Sequence, residues 1–303
     1  MKGNIYRNKE IYRKLEDYGV DQKDIIILVE ALEYADSRGD PSHGLNKISY
    51  VFNQLSNKSC RAQVKLTILK EYGALTLVDA NYGLGPPSII KAVEIAKQKV
   101  KKFGIGIVGI QKINHIFALG YYVYKIAEED LIGFICCNTP PAMSYPSSTE
   151  KILGTNPLAI GIPSFKTPLV FDMSTTVTAR GRIHQALLES KEIPIHWARD
   201  KRGHPTTDPK KALDGFLNPL GGRKGFMLSM AVDILAGILT SSAYSTEVTG
   251  PSIHLSSKHL THLPNNGVLL AVLDPSKFIS IGDLKEKVGK HPGLKYLKFV
   301  RMK

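Results

Sequence analysis

The sequence predicts an α/β protein, with a helical N-terminal part over about 1–72 and an α/β domain over about 73–273. Three observations carry this reading. Over the first 40 residues, apolar side chains recur at helical spacing. From about residue 73, short apolar, β-branched runs alternate with longer helical patterns. The GxGxxG fingerprint is absent, because Gly83–Leu84–Gly85 runs into Pro86–Pro87–Ser88, so the alternation is not that of a Rossmann unit. Residues of about 274–303 complete the helical part.

Taken in order, residues 7–18 form a first helix closed by Gly19, a C′ glycine. Asp21 caps a second, whose Ile25, Leu28, Val29, Leu32 and Ala35 share one face, and which stops at Gly39. The loop Asp40–Gly44 and an apolar stretch to Leu55 follow. Leu75–Asp79, Gly104–Ile110, Leu131–Cys137, Leu158–Ile162, Pro168–Met173 and Val268–Leu273 read as strands. Ser88 is expected to cap a helix with Ile89, Val93, Ala96 and Val100 on one face. Residues 117–128 and Lys224–Leu239 read as helices, and 241–266 as a polar loop.

Composition excludes several classes. Hydrophobic residues make up 43% of 303 and charged residues 22%, which suits a packed interior rather than disorder. No apolar run reaches the roughly 18 residues of a membrane helix, so no membrane partner is expected. The N-terminus mixes charges of both signs and reads as neither a signal nor a transit peptide. Cys60, Cys136 and Cys137 fit no disulfide framework, and Cys136 and Cys137 fall on opposite faces of one strand, which points to a reducing cytoplasm. The net charge of +13 raises the question of nucleic acid. It is spread along the chain without aromatic–basic interleaving, so no nucleic-acid partner is expected and an anionic small molecule is. His254, His259 and His262 have no neighbouring Cys or acidic ligand, and no metal is expected.

A few groups have the chemistry of carbonyl reduction. Such a reaction needs a proton donor at the carbonyl oxygen, a cation for a substrate carboxylate, and donors for a cofactor's phosphates. His43 lies on a loop between helices, and His115 just past a buried strand, at the sheet edge where α/β sites form. Either histidine alone is more often structural, so motif context must decide. Gly154–Pro157 reads as a turn, and Pro219–Gly225 as a glycine-rich connection that opens a helix and offers N–H groups to an anion. Asp172 either binds a ribose hydroxyl or caps a turn.

Together these pieces resemble the malate/L-lactate dehydrogenase family of the sulfolactate and ureidoglycolate dehydrogenase and diketogulonate reductase type, which is distinct from the Rossmann-fold enzymes. The matching stretches are ADSRGDPSHG (35–44), VDANYGLG (78–85), GIGIVGIQKINH (104–115), GYY (120–122), NTPPAM (138–143), EKILGTNPLAIGIP (150–163), FDMSTTVTARGRI (171–183), GHPTTDPKKALDG (203–215) and PLGGRKGF (219–226). They run in the family's order over roughly residues 10–290. The resemblance implies a helical part packed on a mixed-sheet domain with its own way of binding NAD or NADP. It implies hydride transfer to or from a small anionic 2-hydroxy or 2-oxo acid, and a homodimer. By the same resemblance His115 is the proton donor with His43 beside it, and Lys47 stands where relatives have an arginine for the substrate carboxylate. Thr139, Asp172, Met173, Ser174 and Lys224 match cofactor-contacting positions.

The departures define a competing expectation. Phe117 stands where the family has glycine, Ser147–Ser148 replaces a glycine pair, and His196 replaces another glycine. The chain stops near 303, where relatives continue. A catalytically impaired or truncated homologue with a binding or assembly role would have its cleft blocked by Phe117 or open where the tail of relatives would lie.

Overall fold

The computed structural model describes residues 2–40, 42–249 and 263–296. Helix α1 (Lys2–Asp17) is followed by Gly19, whose φ of +80° supplies the left-handed residue of the turn. Asp21 accepts from the Lys23 N–H and caps α2 (Gln22–Ser37). Ile25, Leu28 and Leu32 of α2 pack on Ile11 and Leu15 of α1 and on Tyr50, Val51 and Leu55 of α3 (Ile48–Ser56). Ala31 and Tyr34, on another edge of α2, belong instead to the core of the sheet. One helix thus serves two cores and couples the N-terminal layer to the sheet.

The sheet starts earlier than its sequence pattern. Strand β1 (Thr67–Tyr72) pairs antiparallel with β2 (Leu75–Asp79). Every residue of β1 is exposed, so it carries no alternation, and the ladder to β2 places it, helped by a Glu71–Lys99 ion pair and an Asn81 bond to Thr67. Helix α4 (Gly85–Phe103) begins three residues before the expected cap. Two prolines in its first turn start it, since a fixed φ and a missing N–H suit that turn. Ser88 lies inside the helix, and its hydroxyl donates to the Leu84 carbonyl at 2.7 Å. Next come β3 (Ile105–Gln111), α5 (Gly120–Glu128), β4 (Ile132–Cys137), β5 (Leu158–Ile162) and β6 (Leu169–Met173). Helix α5 starts at 120 rather than 117 because Phe117 sits at φ +55°, outside helical space.

A small layer follows: α6 (Arg180–Leu188), β7 (Ala198–Arg199), α7 (Pro209–Asp214) and β8 (Phe216–Leu217), packed around Ile183, Ile193, Ala198 and Leu217. Helix α8 (Arg223–Asp233) runs into one π-helical turn, Ile234–Ile238. Strand β9 (Val268–Leu273) and α9 (Ile281–Gly289) close the described chain. His254, His259 and His262 lie outside the described residues.

Among the described residues the main sheet has seven strands in the order β1-β2-β3-β9-β4-β5-β6, and only its β2–β3 pair is parallel. The expected mixed sheet is therefore present. Its last strand in sequence is its central one, bonded to β3 on one side and β4 on the other. Helices α4 and α5 cover one face, over Val108, Ile110, Ile135, Cys137, Leu270 and Val272. Val232 and Ala236 pack on the other face, against Cys136 and Leu158. Cys136 and Cys137 thus point to opposite faces, and both thiols are buried and free, as is Cys60. Among the described residues no helix is long and apolar enough to cross a membrane.

Candidate active site

Two loops carry the histidines. The first leaves α2 through Gly39 (φ +72°) and passes Asp40 and Ser42 to His43. It is pinned from behind. Gly44 lies so close to Asp36 that a Cβ would sit 1.8 Å from its carboxylate oxygen, and Asp36 accepts from the Leu45 N–H at 2.9 Å. Within the loop, Nδ1 of His43 meets Oδ2 of Asp40 at 2.8 Å and the Ser42 hydroxyl at 3.0 Å. Asp40 also accepts from the Ser42 N–H and O–H. Burial pushes its carboxyl up, but His43 and Ser42 outweigh that and hold it down at about 2.

The second loop extends β3. Asn114 is buried there, donating to the carbonyls of Tyr82 and Gly83 and accepting from Gln54 at 2.9 Å. Helix α4 starts hard against this loop. A Cβ on Gly85 would fall 2.1 Å from the His115 carbonyl oxygen, which accounts for the glycine that ends VDANYGLG. The Phe117 N–H donates to Nδ1 of His115 at 3.0 Å. The rings of His43 and His115 then lie 5.8 Å apart, inclined by only 23°.

Both rings line one cleft of about 670 Å³, between the α2 end, the ends of β4 and β6, and the start of α6. Thr139, Asp172, Met173 and Ser174 line it too. Thr139 is held firmly: its hydroxyl accepts from the Thr155 N–H at 2.9 Å, and its own N–H donates to Asn156 at 3.0 Å. The GTNP segment is thus a structural clamp as well as a turn, since Asn156 also donates to the Ser229 carbonyl of α8. Asp172 opens onto the cleft yet is crowded by protein on its other sides, and this crowding pushes its carboxyl above the usual range. Its Oδ2 accepts from the Gly120 N–H at 2.7 Å, at the start of α5.

Two residues of the expected set stand off this wall. Lys47 is half-buried below the His43 loop, where burial lowers its ammonium and Asp40 opposes that. It faces His184 of α6, which burial depresses first and the charges of Lys47 and Arg180 depress further. Lys224 is exposed in the first turn of α8, away from the cleft lining. Phe117 lines the cleft at one edge without filling it: the residue is only 6% exposed, and its ring packs against His115 and Tyr50 in the N-terminal core.

The cleft holds residues that motif reading missed. Asp40 is the main one, and its signal was a carboxylate three residues before a loop histidine. Tyr34, Thr178 and Arg180 also line the wall, and each has a buried polar atom without a hydrogen-bond partner. Three such orphans around one cleft suit a site that rearranges around a polar ligand. Apolar Pro140, Pro141, Met173, Val177 and Leu220 supply surfaces for a planar ring. The lining therefore fits a nicotinamide dinucleotide.

Known proteins share this sequence pattern and fold. The solved sulfolactate dehydrogenase of Methanocaldococcus jannaschii superposes with a TM-score of 0.84 and 35% identity, over 93% of this chain and 80% of that one. The ureidoglycolate dehydrogenase (NAD(+)) of Escherichia coli O157:H7 is 31% identical over 271 residues, 89% of this chain and 76% of its own length. The (2R)-3-sulfolactate dehydrogenase (NADP(+)) of Chromohalobacter salexigens is 31% identical over 265 residues, 87% of this chain and 78% of its own. The family described as malate/L-lactate dehydrogenase matches residues 8–291, nearly the whole chain, and this chain belongs to it.

Proposed function

We propose that this protein is an NAD- or NADP-dependent oxidoreductase acting between a small 2-hydroxy acid and its 2-oxo acid, of the malate, lactate or sulfolactate kind. One observation carries the reading: two imidazoles 5.8 Å apart on the wall of a single cleft, close enough for one substrate oxygen to reach both. The nicotinamide, when bound, supplies or takes the hydride. Thr139, Asp172, Met173 and Ser174 are the side chains that would hold the dinucleotide, and His43 and His115 handle the proton at the substrate oxygen. Lys47 would draw the substrate carboxylate by charge, without the two-pronged grip of an arginine.

The protein works as a homodimer on this reading. Met227, Leu228, Met230, Ile234, Leu235, Ile238 and Leu239 leave an apolar face of α8 and its π turn exposed, the kind of surface that a second copy would cover. Lys224 lies on the same helix, so its part in cofactor binding depends on that assembly. Three free thiols suit a reducing cytoplasm. The test is a panel of 2-oxo acids with NADH and NADPH, followed at the nicotinamide absorbance. Turnover of at least one acid is expected; binding of neither cofactor by folded protein would end the proposal.

A further inference from the structure

We infer that Tyr34 is a further cofactor-binding residue: its hydroxyl donates to the carboxamide oxygen of a bound nicotinamide, beside Asp172, which accepts from an N–H of the same carboxamide. This deepens the proposed function and rests on it. Tyr34 stands one position before the first of the family-like stretches, so motif reading passes it by.

The hydroxyl is buried and has nothing to bond to. Tyr34 lies in the last turns of α2, is only 7% exposed, and lines the cleft. Its oxygen has no hydrogen-bond partner. The ring is held in place. It packs edge-on against Tyr121, with centroids 5.9 Å apart, and tilted against Tyr124 at 5.6 Å. The Arg38 guanidinium lies 5.9 Å from its centre. A hydroxyl that a fold buries unpaired calls for an explanation, and at the wall of an open cleft a ligand supplies it.

Asp172 approaches the same spot from β6. A Cβ on Gly120 would fall 2.9 Å from Oδ2 of Asp172 and 3.1 Å from the Tyr34 oxygen. The phenol and the carboxylate thus converge on one glycine at the start of α5, yet no bond joins them. Burial pushes the phenol up to about 12, so it keeps its hydrogen and serves as a donor. Gly120 takes up one lone pair of Oδ2 and leaves the carboxylate able to accept again.

A donor next to an acceptor is the complement of a primary amide, whose oxygen accepts and whose nitrogen donates. A nicotinamide dinucleotide carries one such group, next to the ring carbon that exchanges the hydride; its ribose hangs from the ring atom opposite. His43 and His115 mark where the reacting oxygen lies, and His43 is near enough to Asp172 for its charge to act on that carboxyl. The wall beside the histidines therefore meets the carboxamide before the ribose. NAD and NADP both carry this group, so the grip orients the ring and does not choose between them.

The experiment compares wild type with Tyr34→Phe in the full chain, by fluorescence titration with whichever reduced dinucleotide wild type binds. Phenylalanine removes only the hydroxyl. We expect about 3- to 10-fold weaker binding, the range for one hydrogen bond. ADP-ribose (with the extra phosphate where the cofactor is NADP) keeps the ribose and phosphates and lacks the ring, and should bind both proteins alike. The acetylpyridine analogue of the dinucleotide keeps the carbonyl and has a methyl where the amide nitrogen was, so the variant's penalty should persist with it. The thermal midpoint of the empty variant should hold or rise, because no bond has been lost. Unchanged affinity for the dinucleotide, an equal loss with ADP-ribose, a penalty that vanishes with the analogue, or a lower midpoint each overturns the inference and leaves the oxidoreductase reading standing. Folded wild type that binds neither NADH nor NADPH defeats that reading, and this inference with it.

Discussion

Asp172, at the end of β6, accepts a hydrogen bond at 2.7 Å from the backbone N–H of Gly120, the first residue of α5. The bond spans 52 positions of sequence and joins one cleft wall to a helix that covers the sheet. A carboxylate at a helix start is favoured by the dipole, yet crowding still raises this one. Its charge is therefore disfavoured in the folded state at neutral pH, and the burden shrinks as pH falls below the raised folded value and is gone below the unfolded one. We predict that Asp172→Asn, which keeps an acceptor for Gly120, raises the thermal midpoint at pH 7 and gains nothing in strong acid. Cofactor affinity should fall in the same variant. A midpoint shift that is the same at both pH values would refute the charge argument.

Asp40 should behave with the opposite sign. Its folded value, about 2, is below that of an unfolded aspartate, so its contribution to stability is complete above about pH 4 and is lost as pH falls toward 2. Urea midpoints of wild type and Asp40→Asn are expected to differ at neutral pH and to converge over that window. Curves that stay parallel down to pH 2 would show that the His43 contact does not hold the carboxylate down.

Phe117 combines a strained backbone with a buried ring. Phe117→Gly would relieve about 1 kcal/mol of left-handed strain and remove a core side chain typically worth about 3–5 kcal/mol. We predict a net loss of roughly 2–4 kcal/mol in denaturant titration. A variant as stable as wild type would mean that the ring contributes little to the N-terminal core.

Replacing Lys47 by arginine restores a forked cation to the same place. KM for the 2-oxo acid should drop several-fold while the NADH dissociation constant holds. A change confined to the cofactor would move Lys47 out of the substrate site.

The exposed face of α8 offers a direct check by sedimentation. Leu228→Asp and Met230→Asp, both on exposed positions, should convert a dimer to monomer without unfolding it. A wild-type chain that sediments as a monomer would remove the homodimer from the proposal.

How much could be read without coordinates depended on burial. Strands β2 to β5 and β9 were legible because burial makes them β-branched or apolar runs, and β6 through its apolar Leu169–Phe171 although it has no buried residue. Strand β1 was not, since its exposed Lys70 and Glu71 obey no packing pattern and its place is set mainly by backbone bonds. Ser88 misled because a proline pair can open a helix more strongly than a serine cap. In the cleft, His43 and His115 stood out only through their motifs. Asp40 acts through the shape of a five-residue loop, and shape is what local composition conceals. The surroundings of Lys47 and Lys224 depend on how distant elements face one another, which no spacing rule encodes.

The central position of β9 bears on how the molecule is made. Strands β3 and β4 never bond to each other; Val268–Leu273 is the splint between them. A nascent chain that has not yet released this strand holds two half-sheets, each with an unpaired inner edge of the kind that captures other chains. Completion must wait until Val268–Leu273 has been made, however early the N-terminal helices settle. Fragments ending before residue 268 should therefore aggregate, and a peptide carrying that strand should rescue them.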